Sequence, residues 1–117
     1  FWTAIWEFCG IRAKGDIEPA FEHFEQMPGC RFFPNVRINF AQNLLRYRDD
    51  KLAIIARGED GSTRELSYAE LTEAVTRMRA GLKAAGVKAG DRVAGFVPNR
   101  PEAVIAMLAA SSLGARW

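Results

Sequence analysis

The chain has 117 residues, about the size of one domain, with 49% hydrophobic and 26% charged residues, which excludes a disordered or collagen-like protein. Its 16 Lys and Arg residues against 14 Asp and Glu give a formal net charge of +2. Because these charges form no concentrated basic stripe, the composition also argues against a nucleic-acid binding protein. The longest apolar run, residues 103–110, is far shorter than the roughly 20 residues of a membrane span, and the first residues do not resemble a signal peptide.

Two cysteines and one histidine are too few for a disulfide framework or for a metal centre of nitrogen and sulfur ligands. Cys9 and Cys30 lack the C-x-x-C spacing, and we interpret them as small, reduced core residues of a cytoplasmic protein. A disulfide between them is the alternative, and it would require an oxidising compartment.

The composition changes near Asp49, because seven of the eight Phe and two of the three Trp residues precede it. This change predicts an aromatic-rich helical or irregular N-terminal segment, 1–48, followed by a periodic α/β segment, 49–117. The chain opens on Phe1 within an aromatic run and closes on Trp117, so we expect it to be a piece of a longer protein.

Apolar residues at helical spacing predict three short helices in the N-terminal segment. Residues 1–8 form the first, which Gly10 ends as a C-cap, and residues 18–26 form the second. Residues 32–34 are predicted to be extended or in a turn, and residues 39–46 to form one or two helical turns.

A hairpin and a capped helix are predicted next. Residues 52–56 form an apolar strand, the Asp-Gly pair within residues 59–62 forms the turn, and residues 63–66 form the returning strand. Ser67 and Glu70 then fit the S-x-x-E capping box, in which each side chain accepts a hydrogen bond from the backbone N–H of the other residue.

The helix that follows carries a single apolar stripe, made by Leu71, Val75, Met78 and Leu82. We expect Gly86 to end this helix in a left-handed conformation, with Val87 in contact with Leu82.

A second strand and helix complete the periodic segment. Residues 92–97 are apolar with one glycine and are predicted to form a strand buried on both faces. Asn99 or Arg100 caps the next helix and Pro101 lies in its first turn, while the nearly uniform apolarity of residues 103–113 predicts a buried helix.

Residues 115–117 are predicted to begin a further strand after Gly114 ends that helix. The resulting order is β-β-α-β-α-(β). This order is typical of an α/β fold whose parallel strands are joined by right-handed crossovers.

No motif in the sequence predicts a self-contained active site. Residues 10–15 have the G-x-x-x-x-G frame of a phosphate loop, but Asp16 and Ile17 stand where that loop needs Lys and Ser or Thr. The dinucleotide pattern G-x-G-x-x-G is absent as well. His23 is the only histidine, and we interpret it as a surface or partly packed side chain rather than a general base.

Adjacent acids and a loose basic cluster are most simply interpreted as solvated surface. Asp49-Asp50 and Glu59-Asp60 resemble metal carboxylates, yet acids paired in turns are usually exposed. The basic cluster consists of Arg31, Arg37, Arg46, Arg48 and Lys51, and two acids interrupt it. A phosphate-binding or nucleic-acid-binding patch is the alternative interpretation of this cluster. The early aromatic residues are interpreted as core, or as contacts to the rest of a longer protein, rather than as base-stacking residues. We therefore assign no catalytic, cofactor-binding or metal-ligating residue.

Three stretches together resemble one family. FFPNVRINFAQNLL, residues 32–45, resembles the entry segment of acyl-CoA synthetases. Two later stretches resemble runs that follow this segment in the same family. The first is LSYAEL, residues 66–71, with GVKAGDRV, residues 86–93, and the second is PNRPEA, residues 98–103, with the helix end at 107–115. On these residues the chain is identified as a member of the adenylate-forming, or AMP-binding, superfamily.

The resemblance implies the start of the large N-terminal domain of a two-step ligase. In that chemistry a carboxylate attacks the α-phosphate of Mg²⁺-bound ATP, giving an acyl-adenylate and pyrophosphate, and the CoA thiol then displaces AMP. Residues 1–10 and 114–117 resemble the acetoacetate-activating branch more than the acetate-activating one. In such a domain the core would include Leu71, Val75, Met78, Leu82, Val93, Ile105, Leu108 and Leu113.

The motifs that bind ATP, Mg²⁺ and CoA in this superfamily lie C-terminal to the matched stretch, so no site residue is carried over. We therefore expect this chain by itself to bind none of these cofactors and to be inactive. Its expected partners are the remainder of the longer chain and, through apolar surface that this remainder would cover, a second copy. Two alternatives stay open, namely activation of another short or medium-chain acid, and a stand-alone binding or interaction module.

Overall fold

One helix and two short antiparallel strand pairs make up the first 39 residues. Helix α1 spans Trp2–Cys9, and strands β1 to β4 span Ala13–Gly15, Phe21–Glu22, Arg31–Phe32 and Val36–Ile38. β1 pairs with β4, and β2 pairs with β3. The structure, a computed structural model, describes all 117 residues, and Phe1–Asn39 is the first of its two compact units.

Aromatic rings of α1 contact the strand region of the same unit. The rings of Trp2 and Phe32 lie 5.6 Å apart, and those of Trp6 and Phe33 lie 4.6 Å apart, between centroids. Gly10 ends the helix at φ 57°, as predicted. No side chain of this unit is buried, however, so the interpretation of its aromatic residues as core is wrong, and their contact with the rest of a longer protein stays a prediction.

The helix predicted over residues 18–26 is absent, and a strand pair stands in its place. β2 lies opposite β3, with Phe21 across from Phe32, and His23 turns the chain at φ 54°. A nine-residue helix with no partner is marginal in water. Strand pairing satisfies the same backbone groups, and the Phe21 ring still lies 4.9 Å from the Phe24 ring between centroids, which explains the difference.

Neither cysteine lies in the core. Cys9 is exposed and Cys30 is half-buried, and no disulfide joins them. Both are reduced, as predicted, but the interpretation of the two residues as core hydrophobes is wrong. The reason is that the unit that contains them has no buried interior in which a small apolar side chain could pack.

The second unit, Phe40–Trp117, contains the predicted hairpin and helices but lacks the predicted strand between its last two helices. Its helices and strands are α2, β5, β6, α3 and α4, which span Phe40–Leu44, Leu52–Arg57, Thr63–Ser67, Tyr68–Ala84 and Pro101–Ser112. β5 and β6 form an antiparallel hairpin in which Ile54 lies opposite Leu66. None of the four helices has the length and hydropathy that crossing a bilayer requires.

Helix α3 has both of the caps that the sequence predicts. The N–H of Glu70 donates to Ser67 Oγ over 3.2 Å, and the N–H of Ser67 donates to the Glu70 carboxylate over 2.8 Å. These bonds from Ser67 hold the pKa of Glu70 below its usual value. At the other end Gly86 adopts φ 91°, and the N–H of Val87 donates to the carbonyl of Leu82 over 3.0 Å, as in a Schellman end.

The core of the second unit lies between α2, α3 and α4. Leu71 and Val75 of α3 pack with three residues of α4 and one of α2, which are Ile105, Leu108, Ala109 and Ala41. This confirms four of the predicted core residues. Leu82 is half-buried and packs against this core, and Val93 and Leu113 are half-buried.

Met78 is exposed, so its prediction as a core residue is wrong. It lies about 60° from Val75 around the helix axis, at the rim of the apolar stripe.

Residues 92–97 do not form the predicted strand buried on both faces. A single parallel bridge joins Arg92 to Arg116, and residues 93–98 have no regular structure. A doubly buried strand needs a neighbour on each edge. Here β5 and β6 pair only with each other, so the one neighbour is the short end of the chain at residues 115–117.

The capping box makes a first prediction. Replacing Ser67 by Ala removes the acceptor of the Glu70 N–H and is expected to destabilise the chain by about 1 kcal/mol in chemical denaturation. Ser67→Asn is the matched control, because it keeps a capping oxygen and should retain most of the stability. A wild-type midpoint and slope for Ser67→Ala would mean that Ser67 does not cap α3.

A buried hydroxyl on α3 makes a second prediction. Thr72 Oγ1 is buried without a hydrogen-bond partner, whereas Thr76 Oγ1 donates to the carbonyl of Thr72 over 2.8 Å. Thr72→Val is therefore expected to leave stability unchanged or to raise it by up to about 1 kcal/mol, since the methyl group costs nothing to bury. Thr76→Val, the control, should give no such gain. A clear loss of stability in Thr72→Val would show that the hydroxyl is bonded.

Candidate functional site

A polar cleft lies between the β5–β6 turn and the beginning of α4. Its volume is about 260 Å³, and an adjoining cavity of about 470 Å³ extends it over the turn. Charged side chains dominate both walls. The hairpin contributes Arg57, Glu59, Asp60, Ser62 and Arg64, and the other wall contributes Asn99, Arg100, Pro101 and Glu102.

An ion pair closes one side of the cleft. Arg64 of β6 and Glu102 in the first turn of α4 are joined by a 2.5 Å contact between Nη1 and Oε1. The pKa of Glu102 is lowered first by its own backbone N–H and then by Arg64. More than half of each side chain is exposed, so the pair adds little stability, but it fixes the hairpin beside the helix.

Asp60 on the hairpin wall is engaged in the turn. Ser62 donates to Asp60 Oδ1 from Oγ over 2.6 Å and from its backbone N–H over 3.0 Å. These bonds lower the pKa of Asp60, and Arg100 nearby adds to the effect. The carboxylate therefore stays ionised and serves to hold the turn.

The cleft is equipped for binding rather than for acid–base chemistry. Hydrogen bonds hold the pKa values of its bonded carboxylates, Asp60 and Glu102, below their usual range. It contains no His, Cys or Lys that could act as a base or a nucleophile. Arginines with an asparagine beside them suit the recognition of carboxylate, phosphate or amide groups.

The glycine frame at residues 10–15 is not a phosphate cradle. Gly10 ends α1, and Gly15 belongs to β1. A Cβ atom at Gly15 would lie 2.0 Å from the carbonyl oxygen of Asn35, so this glycine is required by the close approach of two backbones. A phosphate loop needs the reverse order, a strand that leads through glycines into the start of a helix.

The other candidate residues are engaged in local structure. His23 is exposed and its carbonyl accepts from the Gln26 N–H over 2.9 Å, which closes a turn. Asp49 pairs with Lys51 over 3.6 Å, and its carbonyl accepts from the N–H of Ala69. No group of three or more His, Cys, Asp or Glu residues is placed to hold a metal ion.

The basic cluster is divided among separate local contacts. Arg31 pairs with Glu22 across the β2–β3 strands over 3.5 Å. In the second unit the guanidinium of Arg46 lies 5.0 Å from the centre of the Tyr47 ring. Arg31 and Arg46 therefore interact with neighbouring side chains rather than with each other.

No pattern in the sequence predicts the cleft between the hairpin turn and α4. Arg64 and Glu102 are 38 positions apart, and no spacing pattern joins them. The signals available were local, namely Asp60 in an Asp-Gly turn and the polar run that precedes Pro101. The cleft contains no lysine and a single glycine, Gly58, so it does not have the make-up of a phosphate loop.

Comparison with known proteins gives close relatives. Across its whole length the chain is 45% identical to acetoacetyl-coenzyme A synthetase of Rhizobium meliloti (strain 1021) and 36% identical to malonamoyl-CoA synthetase vrtB of Penicillium aethiopicum. It spans only 18% and 17% of the lengths of these two relatives.

A solved structure and a family model agree with these relatives. The acetoacetyl-CoA synthetase from Streptomyces lividans superimposes with a TM-score of 0.91 at 35% identity, over 100% of this chain and 18% of that chain, which confirms the predicted α/β class. The family model described as AMP-binding enzyme matches residues 40–117. Since that match covers most of the chain, the chain belongs to the AMP-binding enzyme family.

Proposed function

We propose that the chain is the N-terminal part of an AMP-forming acid–CoA ligase that acts on acetoacetate. The observation that carries this proposal is 45% identity over all 117 residues to a synthetase named for acetoacetyl-CoA. The TM-score of 0.91 to a second synthetase of that name supports it. The chain spans about 18% of each of these proteins, so the activity proposed is that of a longer protein.

The proposed role of these residues is structural. ATP, Mg²⁺ and CoA would be bound by parts of the longer protein, since this chain contains no phosphate-loop motif. Residues 49–117 would be the first α/β units of the AMP-binding domain, and residues 1–48 its N-terminal segment. The cytoplasm is the proposed compartment, in keeping with two cysteines that form no disulfide.

The relatives also favour a class of acid. Acetoacetate and malonamate each have a carbonyl group on the third carbon, two bonds from the carboxylate carbon. One relative is named for each of the corresponding CoA products. We therefore propose a short acid with this second carbonyl as the substrate class, with other short or medium-chain acids as the alternative.

The chain alone is expected to be inactive. Incubated with ATP, Mg²⁺, CoA and acetoacetate, the purified 117-residue chain should release no pyrophosphate above the enzyme-free blank, because it contains no phosphate-loop motif. The measurement is a coupled pyrophosphate assay. Release above the blank that scales with chain concentration would contradict the expectation.

A chimera tests the proposed function directly. When this chain replaces the matching segment of the Rhizobium meliloti synthetase, we expect acetoacetate-dependent formation of AMP and pyrophosphate. The same chimera with Leu108→Asp is the control, because a charge at this fully packed position should abolish folding and activity. A folded but inactive chimera would favour the stand-alone binding module instead.

We also propose that the isolated chain self-associates. Large apolar side chains are exposed over the second unit, among them Phe96, Val97 and Trp117. Monomeric proteins rarely leave contiguous apolar surface of more than a few hundred Å² in water.

A further inference from the structure

The turn that joins β5 to β6 contains the single Asp-Gly pair of the chain, Asp60–Gly61, and the chain has no Asn-Gly pair. Asp-Gly pairs are prone to a spontaneous rearrangement, in which the glycine nitrogen attacks the side-chain carboxyl carbon of the aspartate. Glycine favours this attack because it has no side chain to hinder the approach. This turn is therefore where the sequence predicts chemical change of the backbone.

The rearrangement needs no reagent other than water. The Gly61 nitrogen forms a bond to Asp60 Cγ, while the carboxyl hydroxyl and the proton of the Gly61 N–H leave together as water, which gives a cyclic succinimide. Water then opens the ring at either carbonyl group, and the product is aspartate or isoaspartate. The first step requires a protonated carboxyl group, because an ionised carboxylate has no hydroxyl to release.

Ser62 favours the ionised form of the Asp60 carboxyl group. Ser62 Oγ donates to Asp60 Oδ1 over 2.6 Å, and the N–H of Ser62 donates to the same atom over 3.0 Å. The hydroxyl bond first, and the backbone bond second, hold the pKa of Asp60 below its usual value. At neutral pH these bonds therefore reduce the fraction of molecules that carry the reactive, protonated carboxyl group.

The attacking nitrogen is engaged in the same turn. The N–H of Gly61 donates to the carbonyl of Gly58 over 3.0 Å, so the nitrogen must give up this bond before it can lose its proton. Gly58 also lies directly against the bonded side chains. A Cβ atom at Gly58 would lie 2.6 Å from Ser62 Oγ and would collide with Asp60 Oδ1 as well, so a side chain there would displace both oxygen atoms.

From these contacts we propose that Ser62 suppresses the conversion of Asp60 to isoaspartate. All the bonds that support this proposal lie within residues 58–62. The inference therefore depends neither on the ligase activity nor on the rest of a longer protein.

Isoaspartate at position 60 would alter the cleft, because it adds one carbon atom to the backbone of the turn. The strand pairing ends just before the turn, where Arg57 lies opposite Thr63. The next residue, Arg64, forms the ion pair with Glu102 that fixes the hairpin beside α4. Suppression of the reaction thus preserves the register of the hairpin and the shape of the cleft.

Ageing of the protein in warm, neutral buffer tests the proposal. Trypsin releases residues 58–64, because Arg57 precedes them and Arg64 ends them, and electron-transfer mass spectrometry then measures isoaspartate at position 60. The wild-type chain should form it about tenfold or more slowly than the free peptide 58–64, since one hydrogen bond to a charged group changes a rate by about this factor. The Rhizobium meliloti chimera, which contains the rest of a synthetase, should behave like the chain alone.

Ser62→Ala should accelerate the reaction about tenfold in the folded chain and leave that of the free peptide nearly unchanged. Ser62→Thr is the matched control, because it keeps the hydroxyl and should retain the slow rate. Gly58→Ala is a second variant, which keeps Ser62 but displaces the bonded oxygen atoms, and it should also accelerate the reaction. Circular dichroism verifies that each variant is folded at the ageing temperature.

A folded wild-type chain that reacts as fast as the free peptide would overturn the proposal. Equal rates for the wild type and Ser62→Ala would do so too. An acceleration by Ser62→Ala of the same size in the chain and in the peptide would also contradict it, because the effect would then belong to the neighbouring residue in the sequence and not to the bonds of the turn.

Discussion

The packing of α3 against α4 is the contact on which the second unit depends. Leu71 and Val75 on one helix meet Ile105, Leu108 and Ala109 on the other. Each large side chain buried there contributes about 1.5–3 kcal/mol. Ala109 is fully buried, and because its side chain is a single methyl group the two helices can approach closely. The hairpin, the cleft and the bridge at the end of the chain are all attached to the ends of these two helices.

Sequence signals succeeded where structure is decided within a few residues. The Ser67–Glu70 box and the Gly86 end are chemical requirements of the helix itself, and both were predictable. The pairing of Ala13 with Ile38 joins distant parts of the chain and leaves no periodic pattern in strands this short. The spacing of Phe21 and Phe24 fits one helical face, but pairing with β3 outweighed it.

The family motifs in this chain are structural, which explains why they identified the family without locating a site. LSYAEL contains the N-cap of α3, and PNRPEA contains the N-cap and first turn of α4. Both motifs place polar groups at helix beginnings. The cleft forms between the second of them and the hairpin turn, and its Arg64–Glu102 contact depends on tertiary structure that no local pattern encodes.

The absence of a buried side chain in residues 1–39 has a consequence for how the chain moves. Strand pairs of two or three residues are held by few backbone hydrogen bonds, and the unit has no buried core that would stabilise them. Such a segment opens locally at a free energy far below that of global unfolding. Proteases are therefore expected to cleave there first, leaving residues 40–117, the part that matches the family model, as the resistant folding unit.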